Sequence, residues 1–82
     1  MTRDDFVRDM VTWINTKLLR HGRTVTASTP LFEDGLIDSM RILQLIAWTE
    51  RAIGRQIADE HIRMDHFYTV DVIATRFLEA TT

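Results

Sequence analysis

Hydrophobic side chains recur at steps of three and four residues in three segments of the chain, the period of a helix with one buried face. The first segment covers residues 2–22, with Thr2 as its expected cap and Gly22 as its expected left-handed end. Asp4 and Asp5 fall in its first turn, where the helix dipole favours negative charge. Its apolar stripe consists of Val7, Met10, Val11, Ile14 and Leu18, and its basic carbonyl end of Lys17, Arg20 and His21.

The second segment covers residues 39–54 and is expected to end at Gly54. Its core stripe consists of Ile42, Leu45, Ile46, Thr49 and Ile53. A second, partly apolar row consists of Met40, Leu43, Gln44, Ala47, Trp48 and Arg51. This row either widens the buried stripe or forms an exposed binding face. The third segment covers residues 69–80, with Thr69 as its cap and an inward face of Val70, Ile73, Phe77 and Leu78.

The connections differ from the helices in composition. Residues 23–38 hold threonines, the only proline and Gly35, and they predict a long ordered loop. Its expected anchors to the core are Leu31, Phe32, Leu36 and Ile37. The stretch "DEHIRMDHF" predicts one short helix with Asp59 as its cap. The pattern therefore predicts an all-α fold in a single domain, residues 1–82: a small four-helix bundle (three main helices plus one short helix) with a long ordered loop between the first two.

Composition narrows the functional classes. The chain has 82 residues, 45% hydrophobic and 27% charged, with a net charge of −2, which is typical of a globular protein. No apolar run approaches the length of about 20 residues that a membrane span needs, and "MTRDDFVRDM" has acids where a signal peptide has bases, so we expect a cytoplasmic protein that binds no membrane. The ten Lys and Arg residues are scattered, which argues against nucleic acid as a partner. The absence of cysteine excludes disulfides, thiolate metal sites and cysteine nucleophiles.

The residues that could support catalysis are few. The three histidines, His21, His61 and His66, are not spaced to form a metal-binding pair on one helix face. The three glycines form no phosphate-binding loop, and a chain of this size has little room for a closed substrate pocket. We therefore expect neither a metal site nor enzymatic activity.

Asp38 and Ser39 stand at the start of the second helix. Either residue type can cap a helix, so the pair alone predicts a cap. The surrounding stretch "PLFEDGLIDSMRILQLI", however, resembles the modification motif of the acyl carrier protein family, in which a Gly-(hydrophobic)-Asp-Ser-Leu type sequence starts the second helix after a long loop. The order of the predicted elements is similar to that family across nearly all of the chain.

The resemblance implies a carrier protein that has no catalytic activity of its own. Ser39 would carry 4′-phosphopantetheine, donated by coenzyme A through a phosphopantetheinyl transferase, and Asp38 would be both a helix cap and a contact for that transferase. The thiol of this group would hold an acyl or aminoacyl group as a thioester. The implied partners are the transferase, an acyl- or amino-acid-activating ligase and downstream acyl-transferring enzymes. The helix dipole would favour the phosphodiester at Ser39 and would assist its attachment without driving it.

The second helix departs from the pattern of fatty-acid carriers. Met40 replaces the usual leucine, and the stretch between Ser39 and Gly54 holds Arg41, Arg51 and one acid, Glu50, so it sums to +1. Partners of acidic helices would meet the wrong charge. The chain is more similar to discrete aryl, aminoacyl and peptidyl carriers, including small carriers served by dedicated amino-acid ligases. Its expected docking surface consists of Met40, Arg41, Gln44, Trp48, Arg51 and Ile62.

Two other functional classes remain open from the sequence. One is an unmodified helical adaptor that binds a protein partner through Met40 and Trp48. The other is a three-helix DNA-binding module, whose affinity would fall steeply with salt. A carrier would be expected to act as a monomer. Substitution of Ser39 distinguishes the carrier from the adaptor, because only the carrier needs that hydroxyl.

Overall fold

The computed structural model describes residues 1–19 and 22–79 of the chain. Helix α1 spans Arg3–Trp13 and continues as a π-helical turn, Ile14–Leu18. Helix α2 spans Arg41–Ile53, and helix α3 spans Val70–Ile73 and continues as a π-helical turn, Ala74–Leu78. Short 3-10 turns lie at Glu33–Gly35, Asp59–His61 and Met64–Phe67, and the described residues contain no strand. The predicted all-α class is confirmed.

Helix α1 begins as its sequence predicts, because the Thr2 hydroxyl accepts the Asp5 N–H at 3.1 Å. Its buried face consists of Phe6, Met10, Ile14 and Leu18, at steps of four residues. Phe6 was missing from the predicted stripe, whereas Val7 and Val11 are only partly buried. The helical segment ends at Leu18, since Leu19 is extended (φ −85°, ψ 155°), so the prediction that Gly22 ends it is wrong. Arg20 and His21 lie outside the described residues.

Helix α2 ends as predicted at Gly54, whose φ of +75° favours glycine and whose N–H donates to the Glu50 carbonyl at 2.9 Å. Its buried face is built on Leu45, Ile46 and Thr49. The Thr49 hydroxyl is satisfied within the helix, because it donates to the Leu45 carbonyl at 2.8 Å. Ile42 and Ile53 are partly buried at the edges of this face.

The predicted cap of α3 is also confirmed: the Thr69 hydroxyl accepts the Val72 N–H at 3.1 Å. Val70, Ile73 and Phe77 are buried, and Leu78 is partly buried. The predicted segment extended to Ala80, which lies outside the described residues.

The segment before α3 differs from the prediction. The expected short helix is replaced by the two separate 3-10 turns at Asp59–His61 and Met64–Phe67. Asp59 is the first residue of its turn rather than its cap, and the preceding Ala58 makes no side-chain capping bond. Phe67 fixes the second turn, because its side chain is buried in the core.

The long loop is packed by the four predicted anchors. Leu31 and Ile37 are buried, and Phe32 and Leu36 are partly buried. The turn before the last two anchors uses Gly35, whose φ is +68°. None of the helices in the described ranges combines the length and apolar character that crossing a bilayer requires.

Candidate functional site

Asp38 caps α2. Its Oδ1 accepts the N–H groups of Met40 at 3.1 Å and Arg41 at 2.9 Å, and its carbonyl accepts the Ile42 N–H at 3.0 Å. These two amides belong to the first turn, where backbone donors have no partner within the helix. Asp38 therefore occupies the capping position that the sequence assigned to either Asp38 or Ser39.

Arg41 fixes this corner of the molecule. Its Nη1 lies 2.9 Å from Asp38 Oδ2, and its Nε donates to the Leu18 carbonyl at 2.9 Å. The guanidinium thus joins the start of α2 to the carbonyl end of the first helical segment, where backbone acceptors lack helical partners. Arg41 belonged to the predicted docking surface, but these bonds give it a structural task.

Ser39 is exposed, and its hydroxyl makes no hydrogen bond with any of the described residues. Of the two candidate caps, Ser39 takes no part, because Asp38 accepts both amides. Both Asp38 oxygens are engaged, one by amides and one by Arg41, so Asp38 is not positioned as a base for this hydroxyl. What the corner presents is an unengaged primary alcohol on a fixed backbone.

An open groove of about 490 Å³ adjoins this corner. It is lined by Lys17, Leu18, Asp38, Met40, Arg41 and Gln44. Both neighbours of Ser39, Asp38 and Met40, contribute to its wall. The surface beside Ser39 is therefore concave and combines charged and apolar side chains.

The structure separates the predicted docking residues into two groups. Met40 is 78% exposed, Ile62 is 37% exposed, and Gln44 and Arg51 are exposed as well. Trp48 is partly buried: its ring stacks on Trp13 and meets Phe6 edge-on, each at a centroid distance of 5.7 Å. Of the two alternatives for this row, Trp48 therefore follows the first, a widened buried stripe.

Helix geometry explains why Trp48 turns inward. It is three residues from the buried Leu45 and three from the exposed Arg51, so it lies between the two faces of α2. The aromatic rings on α1 decide the side, because stacking against Trp13 removes apolar surface from water. A single helix pattern does not contain that information.

Leu43 was missing from the predicted docking surface. It is 67% exposed and lies three residues after Met40, so the two side chains are neighbours on α2. Adjacent large apolar side chains in water are typical of binding surfaces. The sequence signal was present, because Leu43 belongs to the second, partly apolar row of this helix.

Two hydrogen-bonded pairs outside this groove shift the pKa of one of their members. Arg63 donates from Nε to Asp65 Oδ1 at 3.1 Å, and this hydrogen bond lowers the pKa of the Asp65 carboxyl. The Tyr68 hydroxyl donates to Glu33 Oε1 at 3.1 Å, and this bond raises the pKa of Tyr68. Neither pair contacts Ser39, so the candidate site has no base of its own among these groups.

Metal ligands do not converge within the described ranges, where no three His, Asp or Glu side chains form a group that could hold an ion. Instead, His66 Nδ1 donates to the His61 carbonyl at 2.9 Å, and the two imidazole rings stack with centroids 6.3 Å apart. His21, the third histidine considered from the sequence, lies outside the described residues.

Comparisons of this chain with protein-family models, with curated proteins and with solved structures give no match.

Proposed function

We propose that the chain is a carrier protein of the acyl carrier type, with 4′-phosphopantetheine attached to Ser39. One observation carries the proposal: the Ser39 side chain is exposed beside the start of α2 and bonds to none of the described residues, because the neighbouring Asp38 forms the cap. A serine needed for the cap would lose a stabilising bond on modification. At this position, the positive end of the helix dipole favours a negatively charged ester.

The attachment is a phosphoryl transfer. The Ser39 oxygen attacks the phosphorus that bears the pantetheine in coenzyme A, and the bond from that phosphorus to the bridging oxygen breaks. Adenosine 3′,5′-bisphosphate leaves, and the serine proton passes to a base of the transferase. An external base is required, since both oxygens of Asp38 are already engaged.

The arm would supply the thiol that this chain lacks, since it contains no cysteine. A ligase would load that thiol with an acyl or aminoacyl group, and downstream acyl-transferring enzymes would collect it. The net charge of +1 on α2 between Ser39 and Gly54 favours a discrete aryl, aminoacyl or peptidyl carrier over a fatty-acid one. The proposal includes a monomer and a cytoplasmic location.

The docking surface is revised by the burial pattern. We infer a surface of Met40, Leu43, Gln44, Arg51 and Ile62, all of which are exposed. Trp48 packs beneath this surface against Trp13, and Arg41 fixes the start of α2 beside it through its bond to the Leu18 carbonyl. Partner enzymes would contact the two apolar side chains at the start of α2 while they act on the adjacent arm.

The test is incubation with coenzyme A, magnesium and a broad-specificity phosphopantetheinyl transferase, followed by intact-mass measurement and thiol titration. We expect the mass to rise by one phosphopantetheine and the thiol content to rise from none to one per chain, since the chain has no cysteine. Ser39→Ala should abolish both changes. Ser28→Ala is the matched control, because Ser28 is the only other serine and is also exposed.

The second candidate is an unmodified helical adaptor. The exposed pair Met40 and Leu43 favours it, because such a pair could bind a protein partner without any modification. If the folded parent protein gains neither mass nor thiol, or if Ser39→Ala is modified like the parent, the carrier proposal is refuted and the adaptor takes its place.

A further inference from the structure

A second concave site lies at the other end of α2. It is a pocket of about 230 Å³ between the segment that follows α2 and the π-helical end of α3. The residues that line it are Arg55, Ile57, Ala58, His61, Arg76 and Phe77. Since ligand pockets for drug-sized molecules span about 300–1,000 Å³, this one suits a small molecule.

The pocket has an apolar floor and a cationic rim. Ile57 and Phe77 form the floor, with exposed fractions of 6% and 4%. Arg55, His61 and Arg76 have exposed or largely exposed side chains around it, and no acid is among the lining residues. This combination matches a ligand that carries a negative group on an apolar body.

The rim is anchored at both ends. Arg55 Nη2 donates to the Phe77 carbonyl at 3.3 Å, which uses one of the five N–H donors of a guanidinium. Glu50 holds the turn that follows α2, because its Oε2 accepts the Ile57 N–H at 2.8 Å. Arg55 therefore keeps donors available on a backbone that is already fixed.

Neither Arg55 nor Arg76 forms an ion pair with an acid in the described part of the chain. Arg76 also borders a groove that includes Asp65 and Asp71, but Asp65 pairs with Arg63 and Asp71 with Arg3. Glu60 Oε1 lies 3.9 Å from His61 Nε2. The Glu60 side chain is 80% exposed to solvent, so water screens its charge.

From this geometry we propose that the pocket binds a small organic oxyanion, a carboxylate or a phosphate joined to an apolar group. The guanidinium groups of Arg55 and Arg76 provide planar, charge-assisted donors for the oxyanion. Ile57 and Phe77 receive the apolar part. This inference stands apart from the proposed function, because none of its residues belongs to the Ser39 corner or the docking surface.

The test is a titration of the full chain at low ionic strength, followed by amide resonances in ¹H–¹⁵N NMR. Benzoate and phenyl phosphate represent the two oxyanions, benzamide is the neutral counterpart, and inorganic phosphate lacks the apolar part. We expect saturable shifts at Ile57, His61 and Phe77 with benzoate or phenyl phosphate, in the millimolar range. The tighter of these two probes identifies the oxyanion, and benzamide and inorganic phosphate should bind more weakly.

Arg76→Gln and Arg55→Gln should each raise the Kd about tenfold, because each removes a charged hydrogen-bond donor. Arg23→Gln is the matched control: it removes the same charge from an exposed loop position and should leave the Kd within about twofold. Equal binding of benzamide and benzoate, or equal losses in Arg23→Gln and Arg76→Gln, would overturn the proposal. Measurement of both arginine variants guards against a folding defect in one of them.

Discussion

Asp38 and Ser39 have different surroundings, although both residue types can cap a helix. The carboxylate has two oxygens, so it can accept the amides of Met40 and Arg41 and still pair with the Arg41 guanidinium. A hydroxyl at position 39 could not do both. The sequence placed the start of this helix at residue 39, two residues before the observed Arg41, and could not decide between the two candidate caps, because Arg41 makes its second bond to Leu18, which is distant in sequence.

Tyr68 gives a prediction at this scale, because it is the only tyrosine in the chain and its titration can be followed without overlap. Its hydrogen bond to Glu33 and, next, the charge of that carboxylate raise the pKa of Tyr68 above 10.0. Glu33→Gln should therefore lower the midpoint of tyrosinate formation, measured by ultraviolet absorbance. Glu60→Gln, an exposed acid elsewhere, should leave it in place.

Because the pKa of Tyr68 is raised in the folded state, its bond to Glu33 makes the free energy of unfolding depend on pH. The stabilisation from this bond is complete below the unfolded pKa of tyrosine and is lost as the pH rises through the folded pKa. Alkaline unfolding followed by circular dichroism should consequently depend less on the ionisation of Tyr68 in Glu33→Gln. An unchanged absorbance midpoint in that variant would show that the Tyr68–Glu33 bond does not persist in solution.

At the scale of elements, α2 carries two faces with different tasks. The inward face was predicted well, because burial of Leu45, Ile46 and Thr49 follows directly from helix periodicity. The boundary between the two faces was not predicted, because the placement of Trp48 depends on Phe6 and Trp13 of α1. The short helix expected before α3 failed for a related reason, since a single buried anchor, Phe67, does not define a helical stripe.

A pair of variants separates the two faces. Trp48→Ala should lower the free energy of unfolding by about 2–4 kcal/mol, since it removes a partly buried ring from an aromatic cluster. Met40→Ala should change that free energy by less than about 0.5 kcal/mol, because Met40 is 78% exposed. Urea unfolding measures both values.

The proposed docking role adds a kinetic expectation for the same pair. Met40→Ala should slow modification of Ser39 by the transferase, although its fold is intact. If Met40→Ala were modified at the parent rate, Met40 would have no part in docking. If Trp48→Ala were as stable as the parent, the aromatic cluster would contribute nothing to the fold.

At the scale of the whole molecule, the long loop is attached through polar bonds as well as apolar anchors. Asn15 on the first helical segment accepts the Val25 N–H at 2.7 Å and donates to the Val25 carbonyl at 3.1 Å. The Leu31 N–H donates to the Tyr68 carbonyl at 2.8 Å. The apolar anchors could be predicted from composition, but these bonds could not, because each joins residues that belong to different elements and no local pattern relates them.

Asn15→Asp tests this attachment. The carboxylate keeps an acceptor for the Val25 N–H but turns a second acceptor toward the Val25 carbonyl, so we expect a loss of about 1–3 kcal/mol in the free energy of unfolding at neutral pH. Acidification should recover part of this loss, because a protonated carboxyl can donate. Thermal unfolding over a pH series provides the measurement.

Gln56→Glu is the matched control, because it makes the same change from amide to carboxylate at an exposed position. It should alter the free energy of unfolding by less than about 0.5 kcal/mol. Similar losses in the two variants would mean that net charge, and not the bond to Val25, sets the effect.

The cap formed by Asp38 has a consequence for the order in which the protein folds and is modified. Because none of the described residues bonds to the Ser39 hydroxyl, the chain can fold before any cofactor is supplied. On the proposed function, the unmodified and modified forms would then coexist with the same thermal tolerance. The supply of coenzyme A and transferase would then limit maturation, and a shortage of either would leave folded, unmodified protein.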